Sequence, residues 1–149
     1  MIIWFTGQPG SGKTTLSNEL IKLINNSTCI SIDGDEIRDI FNNKDYSSDG
    51  RIKNIEMVQN FAIFLEIKGF TPIVSLVSPY REIRENLKLR TQVLEIYVYS
   101  NEPRGRENFF VKDYEEPLKN FTEINTTNKS IEESGYEIFD VYRKMAAVA

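Results

Sequence analysis

Residues 7–14 read Gly-Gln-Pro-Gly-Ser-Gly-Lys-Thr, and this spacing of glycine, lysine and threonine suits one kind of chemistry. Glycines let backbone N–H groups converge on a phosphate, and a following helix adds the partial positive charge of its N-terminus. Lys13 would neutralise β- and γ-phosphate oxygens, while the Thr14 hydroxyl would bind the Mg²⁺ that bridges them. The pattern therefore predicts a magnesium and nucleoside-triphosphate site made by Gly7, Gly10, Ser11, Gly12, Lys13, Thr14 and Thr15.

Two aspartates follow the second apolar run, within the segment Ser-Ile-Asp-Gly-Asp-Glu-Ile-Arg. Asp33 and Asp35 would emerge at the carboxyl edge of a parallel sheet, which is where ligands of open α/β sheets bind. Either carboxylate could accept a proton from an attacking hydroxyl or hold Mg²⁺ through water. Aspartate before a helix is also a common N-cap. We favour the site for Asp33 and leave cap and site equally open for Asp35.

Four arginines, Arg38, Arg51, Arg81 and Arg84, stand near helix starts or in the loops before them. Guanidinium groups at one edge of a sheet suit a bidentate anion. A single surface arginine usually contacts only solvent. These four indicate an anion site because they occur in the same chain as a phosphate loop. They predict a second anion site, several of them facing the same edge.

The composition excludes several kinds of catalysis, because the 149 residues contain no histidine and one cysteine, Cys29. A Ser-His-Asp triad, a Cys-His dyad and a histidine-bearing metal site are ruled out, which leaves carboxylates, lysine or tyrosine as proton acceptors. One cysteine makes no internal disulfide, so we expect a buried thiol and a reducing compartment, the cytoplasm. The net charge of −4 argues against nucleic acid or anionic membrane as partner, and the N-terminus resembles neither a signal peptide nor a membrane span.

Short β-branched and aromatic runs alternate with helical patterns along the whole chain, as strands buried on both faces of a parallel sheet do. Strands are predicted over residues 2–5, 28–32, 72–77 and 94–99, with a weaker one near 123–126. Helices are predicted over 13–26, 36–41, 52–68, 81–92 and 131–147, and the third carries a core stripe of Ile55, Val58, Ala62 and Leu65. The fold class is therefore α/β, in a single domain over 1–149.

Two cap signals and two loops complete the predicted elements. Ser78 followed by Pro79 has the pattern of an N-cap with proline at the first helical position, and Ser130 with Glu133 has capping-box spacing. Residues 42–50 and 100–119 lack periodicity. A loop as long as 100–119 inside a compact domain is usually a lid or a binding loop.

In order along the chain, seven segments resemble the adenylylsulfate kinase family of P-loop kinases, which transfers the γ-phosphoryl group of ATP to the 3′-hydroxyl of adenosine 5′-phosphosulfate. They are IIWFTGQPGSGKTTLS, SIDGDEIR, DYSSDGRIKNIEMV, GFTPIVSLVSPYREIRE, LEIYVYSNEPR, DYEEP and SIEES. The phosphate loop is shared by many kinases, whereas SIDGDEIR and Ser-Pro-Tyr-Arg in this order are more specific. The resemblance implies a P-loop three-layer sandwich, with about five parallel strands and helices on both faces, that uses ATP and Mg²⁺.

The same resemblance assigns roles to individual residues. It implies that Lys13, Asp33 and Asp35 serve catalysis, with Asp33 and Thr14 near Mg²⁺. Arg104 resembles an arginine near the ATP base. On the acceptor side, Arg38, Arg51 and Asn54 resemble phosphosulfate contacts, Tyr46 stands where the family has a phenylalanine on the acceptor adenine, and Ser78 resembles a serine that accepts phosphate in some proposals. Pro79 adjoins that serine, and Phe109 and Asp113 loosely match a Phe-Thr-Gly-Ile-Asp element.

The chain also departs from the family. The Lys-Gly-Leu-Tyr and Ala-Arg-Ala-Gly stretches of the usual lid are missing between Asn101 and Asp113, which shortens the lid by about a dozen residues. Because lids exclude water and complete a site, acceptor choice and catalytic efficiency are open. Two alternatives stand: a kinase for another small hydroxyl, such as a nucleoside, sugar or polynucleotide end, and a catalytically idle nucleotide-binding relative. The family often forms homodimers, although no exposed apolar stripe in the sequence demands one.

Overall fold

The computed structural model describes residues 1–148, and all its strands join one parallel sheet in the order β2-β3-β1-β4-β5. The strands are β1 (Ile2–Thr6), β2 (Cys29–Asp33), β3 (Thr71–Ser75), β4 (Val93–Tyr99) and β5 (Thr122–Asn125). The helices are α1 (Lys13–Ile24), α2 (Gly34–Ile40), α3 (Ser48–Ile67), α4 (Arg81–Arg90) and α5 (Ile131–Ala147), with one 3₁₀ turn, Glu107–Phe109. The α/β class and the parallel sheet are confirmed.

Two apolar cores cover the two faces of the sheet, because successive residues of β1 point in opposite directions. Ile3 and Phe5 pack with Leu16 and Leu20 of α1 and with Ile138 of α5. On the other face, a second core joins β1 to α2, α3 and α4 through Ile2, Trp4, Ile37, Ile55, Val58, Ala62 and Leu87. These layers give the predicted three-layer sandwich, with β1 buried along its whole length.

The strand at one edge differs from the expectation of burial on both faces. β2 is half-buried or exposed at every residue except Ile32, because only β3 pairs with it. Cys29, at its start, is half-buried rather than buried, and partial burial raises the pKa of its thiol. Both findings follow from the edge position of β2.

Two predictions of where a helix begins were wrong, and one is confirmed. α4 begins at Arg81 after Tyr80, so Ser78 and Pro79 are not its cap and first residue. α3 begins at Ser48 rather than residue 52, because the Ser47 hydroxyl accepts from the Gly50 amide and caps it within the segment expected to be loop. Ser130 caps α5 as expected, accepting from the Glu133 amide at 3.1 Å.

Apolar residues occupy more than one side of α3. The predicted stripe of Ile55, Val58, Ala62 and Leu65 packs in the core, as expected. Met57, Phe61, Phe64 and Ile67, by contrast, are exposed. An exposed apolar stripe therefore exists where the sequence analysis saw none, because it assigned only one face of this helix. No helix within residues 1–148 has the length and apolarity to span a membrane.

A buried ion pair ties α4 to β4. The Arg84 guanidinium donates to Glu95 at 2.9 Å, and both side chains are almost fully buried. Lys88 adds a second cation at 2.7 Å from Glu95. Arg84 also donates to the backbone carbonyls of Ser78 and Glu115, so it links the loop after β3 to the segment after the 3₁₀ turn.

Candidate active site

A cavity of about 800 Å³ opens at the carboxyl edge of the sheet, which is a volume typical of small-molecule sites. The loops after β1, β2 and β3 line it, together with the start of α3 and the segment before β5. Twelve of the residues singled out from the sequence lie on its wall: Gly10, Lys13, Thr14, Asp33, Asp35, Arg38, Tyr46, Arg51, Asn54, Ser78, Pro79 and Phe109. Gly7, Ser11, Gly12, Thr15 and Arg104 are not on the wall.

The loop between β1 and α1 has the conformation that its glycines were expected to permit. Gly10 and Gly12 adopt φ values of 80° and 105°, a region that side chains with a Cβ rarely enter. Gly7 lies behind the loop, so close to the Val98 carbonyl that no Cβ fits there. The buried Ser11 hydroxyl has no hydrogen-bond partner within residues 1–148. This glycine cradle, open at the start of a helix, fits a phosphate group.

Lys13 places its ammonium group inside this loop, where Nζ donates to the Gln8 carbonyl at 2.9 Å. Burial lowers the pKa of Lys13 to about 8, although Asp33 and Asp35 act in the opposite direction. Arg106 lowers it further through like-charge repulsion. A cation that is costly to keep charged in the free protein is one that a bound polyphosphate would stabilise.

Asp33 performs two tasks at once. Its Oδ1 accepts from the Asp35 amide at 2.8 Å and caps α2, while its Oδ2 accepts from the Thr14 hydroxyl at 3.1 Å. The helix cap is therefore Asp33, and the possibility that Asp35 is the cap was wrong. Asp35 lies in the first turn, on the cavity wall.

The pair of Thr14 and Asp33 fits a magnesium ion that takes most of its ligands from phosphate and water. Mg²⁺ is usually held by one or two protein oxygens plus substrate phosphates. Within residues 1–148, no group of three or more acidic, cysteine or histidine side chains converges in metal-binding geometry. The residues present thus fit a cation that arrives with a nucleotide.

A second group of polar residues lines the far end of the cavity. Arg38 is buried and donates to the carbonyls of Asn43 and Asp45, at 3.2 and 3.0 Å, and its guanidinium lies 4.3 Å from the centre of the Tyr46 ring. Arg51 lies 3.8 Å from the Asp113 carboxylate. This end of the cavity therefore offers two guanidinium groups and an exposed aromatic ring.

Ser78 has a different environment from the one expected. Its φ is 40°, and its buried hydroxyl accepts from the Trp4 indole at 2.9 Å and donates to the Leu76 carbonyl. The hydroxyl is thus engaged inside the protein, which argues against its accepting a phosphoryl group. The sequence signal failed because the hydrogen-bond partner lies 74 residues away.

Arg81 and Arg84 do not reach the cavity wall. Arg81 donates to the Glu116 carbonyl at 2.8 Å, and Arg84 pairs with Glu95. Only Arg38 and Arg51 of the four predicted arginines lie on the wall. Arg81 and Arg84 instead fasten the base of the segment 100–119.

The segment 100–119 also contains residues that the sequence analysis missed. Gln8 donates to the Val111 carbonyl and accepts from the Val111 amide, both at 2.9 Å, so it joins this segment to the phosphate loop. Arg106 lines the cavity beside Gly10. Arg104 donates to Thr126 at 3.0 Å on the outer side of the loop. Gln8 occupies a variable position of the loop pattern, so no local signal marked it.

Comparison with known proteins identifies the family to which this chain is similar. A family model described as adenylylsulphate kinase matches residues 1–138. The chain belongs to the adenylylsulfate kinase family. The adenylyl-sulfate kinase of Oceanobacillus iheyensis is 34% identical over 157 residues, which cover 89% of this chain and 79% of that protein. The predicted family resemblance is confirmed.

Two further similarities are to a relative named for a different substrate and to a solved structure. The cytidine diphosphoramidate kinase of Campylobacter jejuni is 38% identical over 100 residues, covering 65% of this chain and 59% of that protein. A solved structure of the Mycobacterium tuberculosis APS kinase in complex with AMPPNP and APS superposes with a TM-score of 0.81. It is 20% identical and covers 95% of this chain and 96% of that one, which supports the P-loop kinase fold.

Proposed function

We propose that this protein is an adenylylsulfate kinase, which transfers the γ-phosphoryl group of ATP to the 3′-hydroxyl of adenosine 5′-phosphosulfate. The observation that carries the proposal is one cavity holding both a phosphate loop and, past Asp33, a second polar end with Arg38 and Arg51. Membership of the adenylylsulfate kinase family supports this acceptor. The reacting unit is a single domain over residues 1–149, with residues 100–119 as its lid.

The residues of the phosphate loop would hold ATP. Loop amides bind the phosphates, Lys13 neutralises the β- and γ-oxygens, and Arg104 lies near the base. Thr14 and Asp33 would hold Mg²⁺, which supplies charge neutralisation to the phosphates when it is bound. Gly7, Ser11, Gly12 and Thr15 complete the proposed site by shaping the loop and the first turn of α1.

Asp33 is the proposed proton acceptor, because the chain has no histidine and this carboxylate lies between the two ends of the cavity. The acceptor hydroxyl oxygen bonds to the γ-phosphorus, and the bond from phosphorus to the β–γ bridging oxygen breaks. ADP leaves with that electron pair, and Asp33 takes the hydroxyl proton. Asp35 adds negative charge beside Lys13 and remains a second catalytic candidate.

The far end of the cavity would bind adenosine 5′-phosphosulfate. Arg51 and Asn54 offer donors to the phosphosulfate, and Arg38 contributes charge while it holds the loop that carries Tyr46. Tyr46 and Phe109, both exposed on the cavity wall, offer rings to the adenine. Ser78 and Pro79 shape the floor of this end.

Two observations favour a second acceptor. The short lid lacks the family's usual stretches, and the Campylobacter jejuni relative named for cytidine diphosphoramidate is 38% identical over its matched part. Cytidine diphosphoramidate is also a nucleotide with free ribose hydroxyls and an anionic group. We therefore keep it as the alternative acceptor, within the same phosphoryl-transfer reaction.

The proposal is tested by ADP release from Mg·ATP, measured with adenylylsulfate, with cytidine diphosphoramidate, and with neither. We expect adenylylsulfate to stimulate release, and Asp33→Asn to lower the stimulated kcat about 100-fold or more, since general-base catalysis contributes on that scale. Asparagine caps helices as well as aspartate, so the variant should fold. Asp35→Asn, measured in parallel, separates the two carboxylates.

Release that is equal with and without acceptor would overturn the kinase assignment. Stimulation by cytidine diphosphoramidate alone would replace the acceptor and keep the reaction. Nucleotide binding without transfer to either acceptor would identify an idle relative.

The pH dependence should follow Lys13, whose pKa of about 8 lies well below the usual 10.5. We expect kcat/KM for ATP to fall about tenfold for each pH unit above that value, because the free enzyme loses the charge that binds phosphate. The effect on folding has the opposite sign. Between pH 8 and 10.5 the unfolded chain holds the Lys13 proton that the folded chain has released, so this residue's contribution to stability rises with pH.

Steady-state rates at saturating acceptor and sub-saturating ATP measure this profile, and urea unfolding measures the stability. Lys13→Arg is the control, because arginine keeps its charge across the range and should flatten the profile whatever its absolute rate. A profile that falls equally in the arginine variant would assign the titration to another group.

We also propose an oligomeric state and a compartment for this protein. Homodimer formation is consistent with the exposed stripe on α3, at Met57, Phe61 and Phe64. The cytoplasm is the proposed compartment, on the ground that the lone Cys29 makes no internal disulfide. No nucleic acid or membrane partner is proposed.

A further inference from the structure

Arg106 lies directly over the phosphate loop. A Cβ built on Gly10 would come within 2.9 Å of the Cβ and Cγ of Arg106, so the Arg106 side chain packs directly on the Gly10 backbone. Arg106 also lines the cavity that holds Lys13 and Thr14. The segment 100–119 thus brings Arg106 to the cavity wall beside Gly10.

This guanidinium has no carboxylate partner within residues 1–148; it rests over the ring of Phe109, 5.3 Å from the ring centre. Lys13 has the Asp33 and Asp35 carboxylates as electrostatic partners, whereas Arg106 has none in the described part of the chain. A guanidinium without a carboxylate partner, on the wall of a cavity that also holds a phosphate loop, is suited to binding an anion there. A transferred phosphoryl group is such an anion.

The neighbouring arginine shows that this placement is specific. Arg104, two residues earlier, lies 3.4 Å from Glu102 and donates to Thr126, and it is not on the cavity wall. Arg104 approaches Gly12 with its guanidinium, whereas Arg106 packs its Cβ and Cγ against Gly10. Of these two arginines, Arg106 is the one that lines the cavity with Lys13.

Gln8 holds the lid in this position. Its side-chain amide pairs with both the N–H and the carbonyl of Val111, and Val111 itself is buried. Gln8 belongs to the phosphate loop, so this pairing fixes the lid to the same loop that would hold the nucleotide. A shift of the lid by one residue would lose both bonds.

We propose that Arg106 is a further catalytic residue, which contacts the transferred phosphoryl group, and that Gln8 is its positioning residue. This proposal rests on the proposed kinase function. As the phosphorus exchanges its bond to the β–γ bridging oxygen for a bond to the acceptor oxygen, charge on its outer oxygens is neutralised by Arg106 opposite Lys13. Arg106 thereby places a positive charge from the shortened lid beside the transferred phosphoryl group.

The test compares binding of Mg·AMPPNP and Mg·ADP by calorimetry in Arg106→Ala, together with kcat. We expect AMPPNP to bind about tenfold more weakly, ADP to bind within about twofold of the unaltered chain, and kcat to fall about 100-fold. Arg106→Lys should recover part of kcat. Arg143→Ala is the matched control, since Arg143 also lies over a phenylalanine ring, Phe139, but on α5.

Gln8→Ala tests the positioning role. We expect it to lower kcat, and to add little once Arg106 is already alanine, because both changes then remove the same interaction. Equal weakening of AMPPNP and ADP, an unchanged kcat in Arg106→Ala, or losses from the two variants that simply multiply would each overturn the proposal. If the unaltered chain phosphorylates no acceptor, the proposed function fails, whereas the comparison of AMPPNP with ADP still decides whether Arg106 contacts the terminal phosphoryl group.

Discussion

Replacing Lys13 by alanine should lower kcat/KM for ATP about 1,000-fold while leaving the free protein no less stable. The loss follows from removing the only lysine inside the phosphate loop, whose ammonium group now bonds the Gln8 carbonyl and would turn to the phosphates. Stability should hold because burial makes this charge costly, as the lowered pKa shows. Steady-state kinetics and urea unfolding together measure the two effects.

Lys22→Ala provides the matched control. Lys22 lies on the same helix, exposed in its last turn, and should change neither quantity appreciably. If the Lys13→Ala protein retains its rate, the phosphate loop takes no part in the reaction. A variant that loses rate and stability together would instead point to a structural role for the lysine.

Replacing Glu95 by glutamine should lower the free energy of unfolding by about 3 kcal/mol, the scale on which one partner of a buried ion pair matters. Within residues 1–148, Glu95 is the carboxylate that pairs with the buried Arg84, and it also binds Lys88. Without its charge, the Arg84 guanidinium stays buried with only neutral groups around it, the carbonyls of Ser78 and Glu115 and the Tyr114 ring. Urea unfolding measures the change.

Two further variants separate burial from pairing. Glu137→Gln breaks the exposed pair with Lys129 and should lower the free energy of unfolding far less than Glu95→Gln does. The double change Arg84→Met with Glu95→Leu removes both charges and should recover much of the stability lost in Glu95→Gln. A Glu95→Gln loss no larger than that of Glu137→Gln would show that the buried network contributes little.

Features with a local cause were predictable from the sequence. α5 matches its predicted bounds because its cap, Ser130, and its apolar period lie within the helix itself. The phosphate loop directly follows β1 and Asp33 is the last residue of β2, so the apolar, β-branched composition of these strands was enough to find both. α3 was placed four residues late, since its first turn, capped by Ser47, is polar and resembles loop.

Features with a distant cause were not predictable. Ser78 has the local pattern of a helix cap, but its hydroxyl accepts a hydrogen bond from the Trp4 indole of β1 instead. Glu95 lies in an apolar strand, and no pattern in the neighbouring sequence predicts its ion pair with Arg84. Gln8 pairs with Val111, 103 residues away, and Arg106 lines the cavity from the same distant segment. Long-range partners of this kind arise from the tertiary arrangement rather than from spacing.

The bond between Trp4 and Ser78 gives this chain a built-in optical reporter. Trp4 is the only tryptophan, its indole is buried beneath the cavity floor, and its N–H donates to a residue of the cavity wall. Indole emission depends on the polarity and hydrogen bonding around the ring. We therefore expect ligand binding beside Ser78 to change the intrinsic fluorescence, without any dye attached to the protein.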